Sequence, residues 1–284
     1  MFTLVGIGVV VVSVVGGYIL EHGNLSLLFQ PAEIVIIFGA AIGSFLIASP
    51  PRVISLVVKN MISVIKLKSY TKENYLELLS LLYELFTKAK KDGVISIESD
   101  IEDPEKSPVF TKYSGIVGNH HAVDFICDNF KVIITTNVSP HELESLMDTE
   151  IEAHYHESML PARSVSKVAD ALPGLGIVAA VLGVILTMGK IDQPPAVIGH
   201  SIGAALVGTF LGVLMSYGFA APLATKFEHM ADENRAYLEV IKGAFVAFVG
   251  GAAPQIAVEF GRRAIPAKER PSFNELERVL RERR

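Results

Sequence analysis

Charge is what this 284-residue chain has little of: 19% of its residues are Asp, Glu, Lys or Arg, where a soluble domain carries about 25%. The deficit is concentrated. Residues 1–20, 34–51, 171–189 and 193–225 contain no charged side chain at all. A helix crossing a bilayer needs about 20 predominantly apolar residues, so these four runs read as membrane spans, the last continuing past the bilayer. Backbone groups find no water at that depth, so each span must be helical. Cysteine is nearly absent, and Cys127 alone excludes an internal disulfide and any CxxC metal site. A basic n-region is missing, and Tyr18-Ile19-Leu20-Glu21 offers no small-x-small cleavage site, so residues 1–20 read as a retained span and not as a secretory leader. The formal charge is −5 with no clustered basic face, which argues against nucleic acid as a partner.

Catalytic groupings are missing too. No GxxxxGK[ST] loop marks a nucleotide site. His154 and His156, two residues apart, point to different sides of a helix, and no carboxylates complete a metal site there or at His120 and His121. Both pairs read as exposed polar positions, and the chain reads as a non-enzyme without cofactor or metal. An ion path across lipid needs a titratable or coordinating group at depth. Asp170 and His200 come nearest, and both fall at span ends. Glu33, third in the second span behind Pro31, reads as a first-turn acid that offsets the helix dipole. The spans are therefore expected to pack around an ion carrier supplied by another chain.

What is present sets the topology. Thirteen of the 25 Lys and Arg fall in 52–167 and eleven in 226–284; Lys190 is the remaining one, and 21–33 has none. Basic residues beside spans stay in the cytoplasm, here Arg52, Lys59, Lys66 and Lys68 after span two and Arg163 and Lys167 before span three. The expected protein is an all-α integral membrane protein with both termini cytoplasmic. Its spans are 1–20, 32–51, 170–189 and 197–222, with short periplasmic loops at 21–31 and 190–196. A helical cytoplasmic domain occupies 52–169 and a helical cytoplasmic tail 223–284.

Periodicity fills in the polar parts. Val53, Ile54, Val57, Val58, Met61, Ile62 and Ile65 form a stripe at helical spacing. Leu76, Leu79, Leu82, Leu85 and Phe86 line one side of a helix over 73–91 that Gly93 stops. The acidic run 98–104 reads as a loop. Ser139-Pro140-His141-Glu142 is a capping box opening a helix toward span three, and apolar spacing continues from span four to residue 249, so both spans extend as long rods. In spans three and four, Gly174, Gly176, Gly183, Gly203, Gly208 and Gly212 permit close helix approach. Pro173 and Pro222 each remove a backbone donor and free a carbonyl.

In order along the chain, Gln30-Pro31-Ala32-Glu33, Leu172-Pro173-Gly174-Leu175-Gly176, Val207-Gly208-Thr209-Phe210-Leu211-Gly212, Tyr217-Gly218-Phe219-Ala220-Ala221-Pro222, Ile256-Ala257-Val258-Glu259-Phe260-Gly261-Arg262-Arg263 and Glu269-Arg270-Pro271-Ser272-Phe273 resemble the MotA family of flagellar-motor stator subunits. That resemblance implies a pentamer around a dimer of MotB, a one-span partner bearing the ion-binding aspartate. It implies that Pro173 and Pro222 couple ion passage to movement, that Ala180 and Thr209 lie on the ion route, and that Lys90 and Glu98 engage the rotor protein FliG. Lys90 stands where the family often has arginine; its charge survives, but forked pairing does not. Ala180 and Gly208 lack the hydroxyls found in sodium-driven relatives, which implies proton transport. The alternatives are an ExbB- or TolQ-like energiser, which would have three spans, and a membrane scaffold. A self-contained transporter would need buried ionisable residues or inverted repeats, and neither is visible in the sequence.

Overall fold

The computed structural model describes residues 2–63 and 69–282. Ile65, Lys66 and Lys68 lie outside the described residues. In chain order the helices are α1 (Phe2–Leu20), α2 (Leu25–Leu28), α3 (Pro31–Ala48), α4 (Pro51–Ser63), α5 (Lys72–Asp92), α6 (Glu98–Glu102), α7 (Ser114–Val117), α8 (His120–Thr135) and α9 (Pro140–Ser158). They continue with α10 (Leu160–Met188), α11 (Pro195–Met215), α12 (Ala221–Val249), α13 (Pro254–Ala264) and α14 (Phe273–Glu282). No strand occurs among the described residues. Four helical stretches are long and apolar enough to cross a membrane: Thr3–Leu20, Leu25–Ala48, one within Pro140–Met188 and one within Pro195–Val249.

The chain divides into two compact units. The first joins Met1–Leu67 to Ser158–His229 and contains the apolar stretches. Here α10 and α11 form the principal pair, with α3 packed on both. Ile37, Ala41, Leu172 and Ala179 are its buried apolar centre. Much of the remaining apolar surface faces outward: Val12 is 71% exposed and Ile47 91%. Such faces are what a spanning helix offers to lipid or to neighbouring helices.

Small residues set the separation of α10 and α11. A Cβ at Gly212 would lie 2.6 Å from the Leu172 carbonyl oxygen and 2.8 Å from the Gly176 Cα, and one at Gly176 would lie 2.8 Å from the Gly208 carbonyl oxygen. All three obstacles are backbone, so only glycine allows this approach.

The second unit joins Lys68–Glu157 to Met230–Arg284 and is built like an aqueous domain. Thr71 and Asn74 close a capping box at the start of α5, and Gly93 ends that helix at φ +87°, a conformation natural to glycine. Leu78, Leu79, Leu81, Leu82, Leu85 and Phe86 of α5 are fully buried. Phe86 stacks on Phe248 at 4.3 Å and meets Phe245 edge-on at 5.3 Å. Tyr70 stacks on the buried Tyr237 at 4.2 Å. Burial pushes the Tyr70 and Tyr75 hydroxyls up to about 12. Ser139 and Glu142 form the expected capping box, the Ser139 amide donating to Glu142 Oε2 at 2.9 Å and the Glu142 amide to Ser139 Oγ at 3.3 Å. Only Met159 separates α9 from α10.

Two local expectations fail in this unit. The acidic run is not a loop throughout: its first five residues form α6, which follows directly on a 3-10 turn, Val94–Ile97. Asp100 explains the difference: it is buried and accepts hydrogen bonds from Lys88 Nζ at 2.7 Å and Ser107 Oγ at 2.6 Å, which satisfies a carboxylate that could not otherwise leave water. His121 and His154 are not separate polar positions; their rings meet edge-on at 4.7 Å, and His154 is half-buried. Burial and the neighbouring His121 hold His154 below the usual imidazole value.

In the tail, Arg262 binds both Glu259 oxygens at 2.7 Å and donates to the Pro271 carbonyl at 2.8 Å. The Arg262 guanidinium holds the Glu259 carboxyl below the ordinary range. Two of the segments that carry the family resemblance are thus tied together by one structural arginine.

Candidate functional site

Pro173 lies inside α10 and is half-buried. Lacking an N–H, it leaves the carbonyl four residues earlier, that of Ala169, without its helical donor. The Ser216 hydroxyl supplies the replacement, donating to that carbonyl at 2.7 Å in a buried position. Ser216 opens a π-helical turn, Ser216–Ala220, in which the Ala221 amide reaches back five residues to the Ser216 carbonyl. Pro222 follows at once. The widened turn relieves the clash that a proline ring makes with the carbonyl of an α-helical turn, and a π-turn of this kind is a usual place for a helix to bend. One hydrogen bond therefore joins the turn before Pro173 to the π-turn before Pro222, although the two prolines are 49 positions apart in sequence.

Pro222 also lines an apolar cavity of about 580 Å³, together with Val10, Phe38, Ala41, Leu172 and Met215. The cavity adjoins the π-turn, where a Cβ on Gly218 would lie 3.2 Å from Val10 Cγ1 of α1.

Ala180 and Thr209 sit along the α10–α11 seam. Ala180 is buried and Thr209 half-buried, and a Cβ at Gly176 would lie 3.3 Å from the Thr209 Cα. A Cβ at Gly208 would meet the Ala180 amide nitrogen at 3.1 Å and Glu33 Oε2 at 2.6 Å. Glu33 does occupy the first turn of α3, but its side chain is not at the surface as a dipole-compensating acid would be. It is 92% buried, since only 8% remains exposed, and Oε2 has no hydrogen-bond partner among the described residues. Asp170 and His200 are exposed.

Lys90 and Glu98 belong to the other unit. Lys90 is in the last turn of α5 and Glu98 is the first residue of α6. Both are exposed, and neither is ion-paired among the described residues; Lys90 reaches only the Ala252 carbonyl, at 3.4 Å. The buried Asp100, bridged to Lys88, fixes α6 to α5. Among the described residues no group of three or more His, Cys, Asp or Glu is arranged to hold a metal ion.

Residues 4–93 match the family model for the motility protein A N-terminal region, and residues 119–240 match that of the MotA/TolQ/ExbB proton channel family. Motility protein A of Salmonella typhimurium is 43% identical over 281 residues, covering 99% of this chain and 95% of that protein. This chain belongs to the motility protein A family. Chemotaxis protein LafT of Vibrio parahaemolyticus is 39% identical over 99% of both proteins. The solved flagellar MotAB stator complex from Bacillus subtilis superposes with a TM-score of 0.77 at 26% identity, covering 94% of this chain and 97% of that one. The family's fold is therefore present here from the first span to the tail, as a multi-pass membrane protein.

Sequence reasoning missed Ser216 and misread Glu33. For Ser216 a signal existed: a proline at 173 orphans the carbonyl at 169, and a hydroxyl in a facing apolar span is a candidate donor. For Glu33 none did, because its burial depends on which glycines of α10 and α11 face it.

Proposed function

We propose that this chain is the stator subunit of a bacterial flagellar motor, which joins a MotB-like partner in an inner-membrane complex that conducts protons and turns the rotor. The observation that carries this reading is the full-length 43% identity to a motility protein A. Both termini and the two polar regions are cytoplasmic, by the distribution of Lys and Arg. Five copies surround two copies of the partner, whose single span carries the ion-binding aspartate, and the complex lies in lipid. Ala180 and Thr209 line the route, and the absence of hydroxyls at Ala180 and Gly208 suits a proton, which a carboxylate carries without the oxygen cage a bare sodium ion needs. An ExbB- or TolQ-like energiser is the weaker reading, because those relatives have three spans and this chain has four candidate ones.

Protonation of the partner aspartate removes a charge from a low-dielectric interface, which changes the favoured helix packing there. Pro173, Ser216 and Pro222 supply the bendable element that responds. Lys90 and Glu98 then act on the rotor protein FliG as unpaired surface charges. The test is charge reversal at Lys90 or Glu98, followed by tethered-cell rotation and pull-down of the partner. Rotation should fall while the partner still co-purifies, because surface charges add little to folding. A compensating reversal on FliG should restore part of the loss; failure of every such reversal to rescue would contradict direct contact.

A further inference from the structure

Glu33 is the one acid of α3, and its placement is unusual for a spanning helix. It is only 8% exposed, and Oε2 lacks a hydrogen-bond partner among the described residues. Its carboxyl fills the room left by two glycines: a Cβ at Gly208 would lie 2.6 Å from Oε2, and one at Gly183 would lie 3.5 Å from Oε1. Gly208 is the fourteenth residue of α11 and Gly183 the sixth from the end of α10. At 1.5 Å per residue, Gly183 is about 8 Å from the end of α10 and Gly208 about 20 Å from the start of α11, the two ends that residues 189–194 connect, and Glu33 itself is in the first turn of α3. The site is therefore a buried point in the seam of α3, α10 and α11, near the first turn of α3.

Among the described residues its surroundings offer no counter-charge. The helices packed on α3 are α10 and α11. Facing the carboxyl are Ala179, Ala180 and Gly183 from α10 and Ala205 and Gly208 from α11, none of them titratable. Along α11, His200 is eight residues from Gly208, about 12 Å; along α10, Asp170 is thirteen residues from Gly183, about 20 Å, with Lys167 and Arg163 farther still. Lys190 and Asp192 are exposed in the connection between these helices. An unpaired carboxylate costs several kcal/mol in such a place, whereas the neutral acid is tolerated. Intramembrane ionisable groups that are kept despite that cost mark ion pathways.

We infer that Glu33 is a proton-binding site within this chain's own spans, a fixed carboxyl that holds a proton beside Ala180 and Gly208 and hands it to an acceptor from outside the chain. In the transfer the Glu33 O–H bond breaks, the acceptor gains the proton, and Glu33 is left as a carboxylate that a proton from the periplasmic side neutralises again. No electron changes hands. The acceptor is a carboxylate on the partner span, so the second half of the inference rests on the stator reading, whereas the holding of a proton does not.

The test compares the wild-type complex with Glu33→Gln, which keeps shape and packing but cannot release a proton. Infrared difference spectra of the purified complex should contain one neutral-carboxyl stretch that shifts in heavy water and is missing in the variant. In vesicles holding the chain with its partner, Glu33→Gln should lower proton flux at least about tenfold with co-purification of the partner unchanged. Identical infrared spectra, flux within about twofold of wild type, or loss of the partner from the variant would each overturn the site. If wild-type complexes conduct no protons but the carboxyl stretch disappears in the variant, the stator reading fails and the proton-holding site stands.

Discussion

Replacing Gly212 by alanine should separate α10 from α11, and the contact distances say by how much. The new Cβ would lie 2.6 Å from the Leu172 carbonyl oxygen, 2.8 Å from the Gly176 Cα and 3.1 Å from the Gly176 amide nitrogen. An unstrained carbon–oxygen contact is about 3.3 Å, so the helices must part by about 0.7 Å at this point. No side chain can swing aside, because every obstacle is backbone. Overpacking of this kind costs about 3 kcal/mol, the upper end of its usual range, and alanine's better helix propensity recovers up to about 1 kcal/mol. The net loss is about 2 to 3 kcal/mol. Gly176→Ala meets the Gly208 carbonyl oxygen at 2.8 Å and should cost a similar amount. The double variant should lose less than the sum, since one separation relieves both clashes. Gly43→Ala on α3, with nothing within 4 Å, is the control and should change stability by less than about 1 kcal/mol. Unfolding of the purified chain in mixed micelles, followed by circular dichroism, measures all four. Equal stability of Gly212→Ala and Gly43→Ala would refute the close backbone contact.

The same assay tests the link between the prolines. Ser216→Ala should cost about 1 to 3 kcal/mol by orphaning the Ala169 carbonyl, and the cost should vanish in a Pro173→Ala background, where residue 173 regains the N–H that serves that carbonyl. An unchanged cost in that background would show that the hydroxyl does not compensate for Pro173. At the tail, the Ser272 amide, the Ser272 side chain and Lys72 hold the Glu275 carboxyl down to about 2 from 4.5. A group depressed on folding stabilises the fold above its unfolded value and loses that contribution as pH falls through its folded one. The protection of the α14 amides, taken relative to their intrinsic exchange at each pH, should therefore fall between about pH 4.5 and about pH 2. In Glu275→Gln that dependence should be absent; equal profiles would contradict the assignment.

Much of the fold was legible because membrane spans are written in composition. Charge-free runs, the Gly93 stop and the Ser139–Glu142 box depend on residues adjacent in the chain, and each element formed where those residues put it. Asp100 shows where that reading stops. Its carboxylate is satisfied by Lys88 and Ser107, so an acidic run that looks like solvent-facing loop becomes a helical turn with one buried acid, while Glu98 and Glu102 stay exposed. Glu33 fails in the same way: the empty volume above Gly208 that receives it exists only once α3, α10 and α11 are assembled. The candidate site was half legible. The orphaned carbonyl behind Pro173 follows from proline chemistry, but its donor, Ser216, is 47 residues away and is selected by helix pairing alone.

In the proposed function, ion passage needs both this chain and a partner's aspartate. The most direct measurement is proton flux into vesicles containing this chain alone, the chain with its one-span partner, and the chain with a partner whose membrane aspartate is changed to asparagine. Flux above that of empty vesicles is expected only with the unaltered partner, because Glu33, the one acid buried in these spans among the described residues, is fixed in place and cannot by itself carry a proton across. Equal flux from the chain alone would contradict the account and make this protein a channel in its own right.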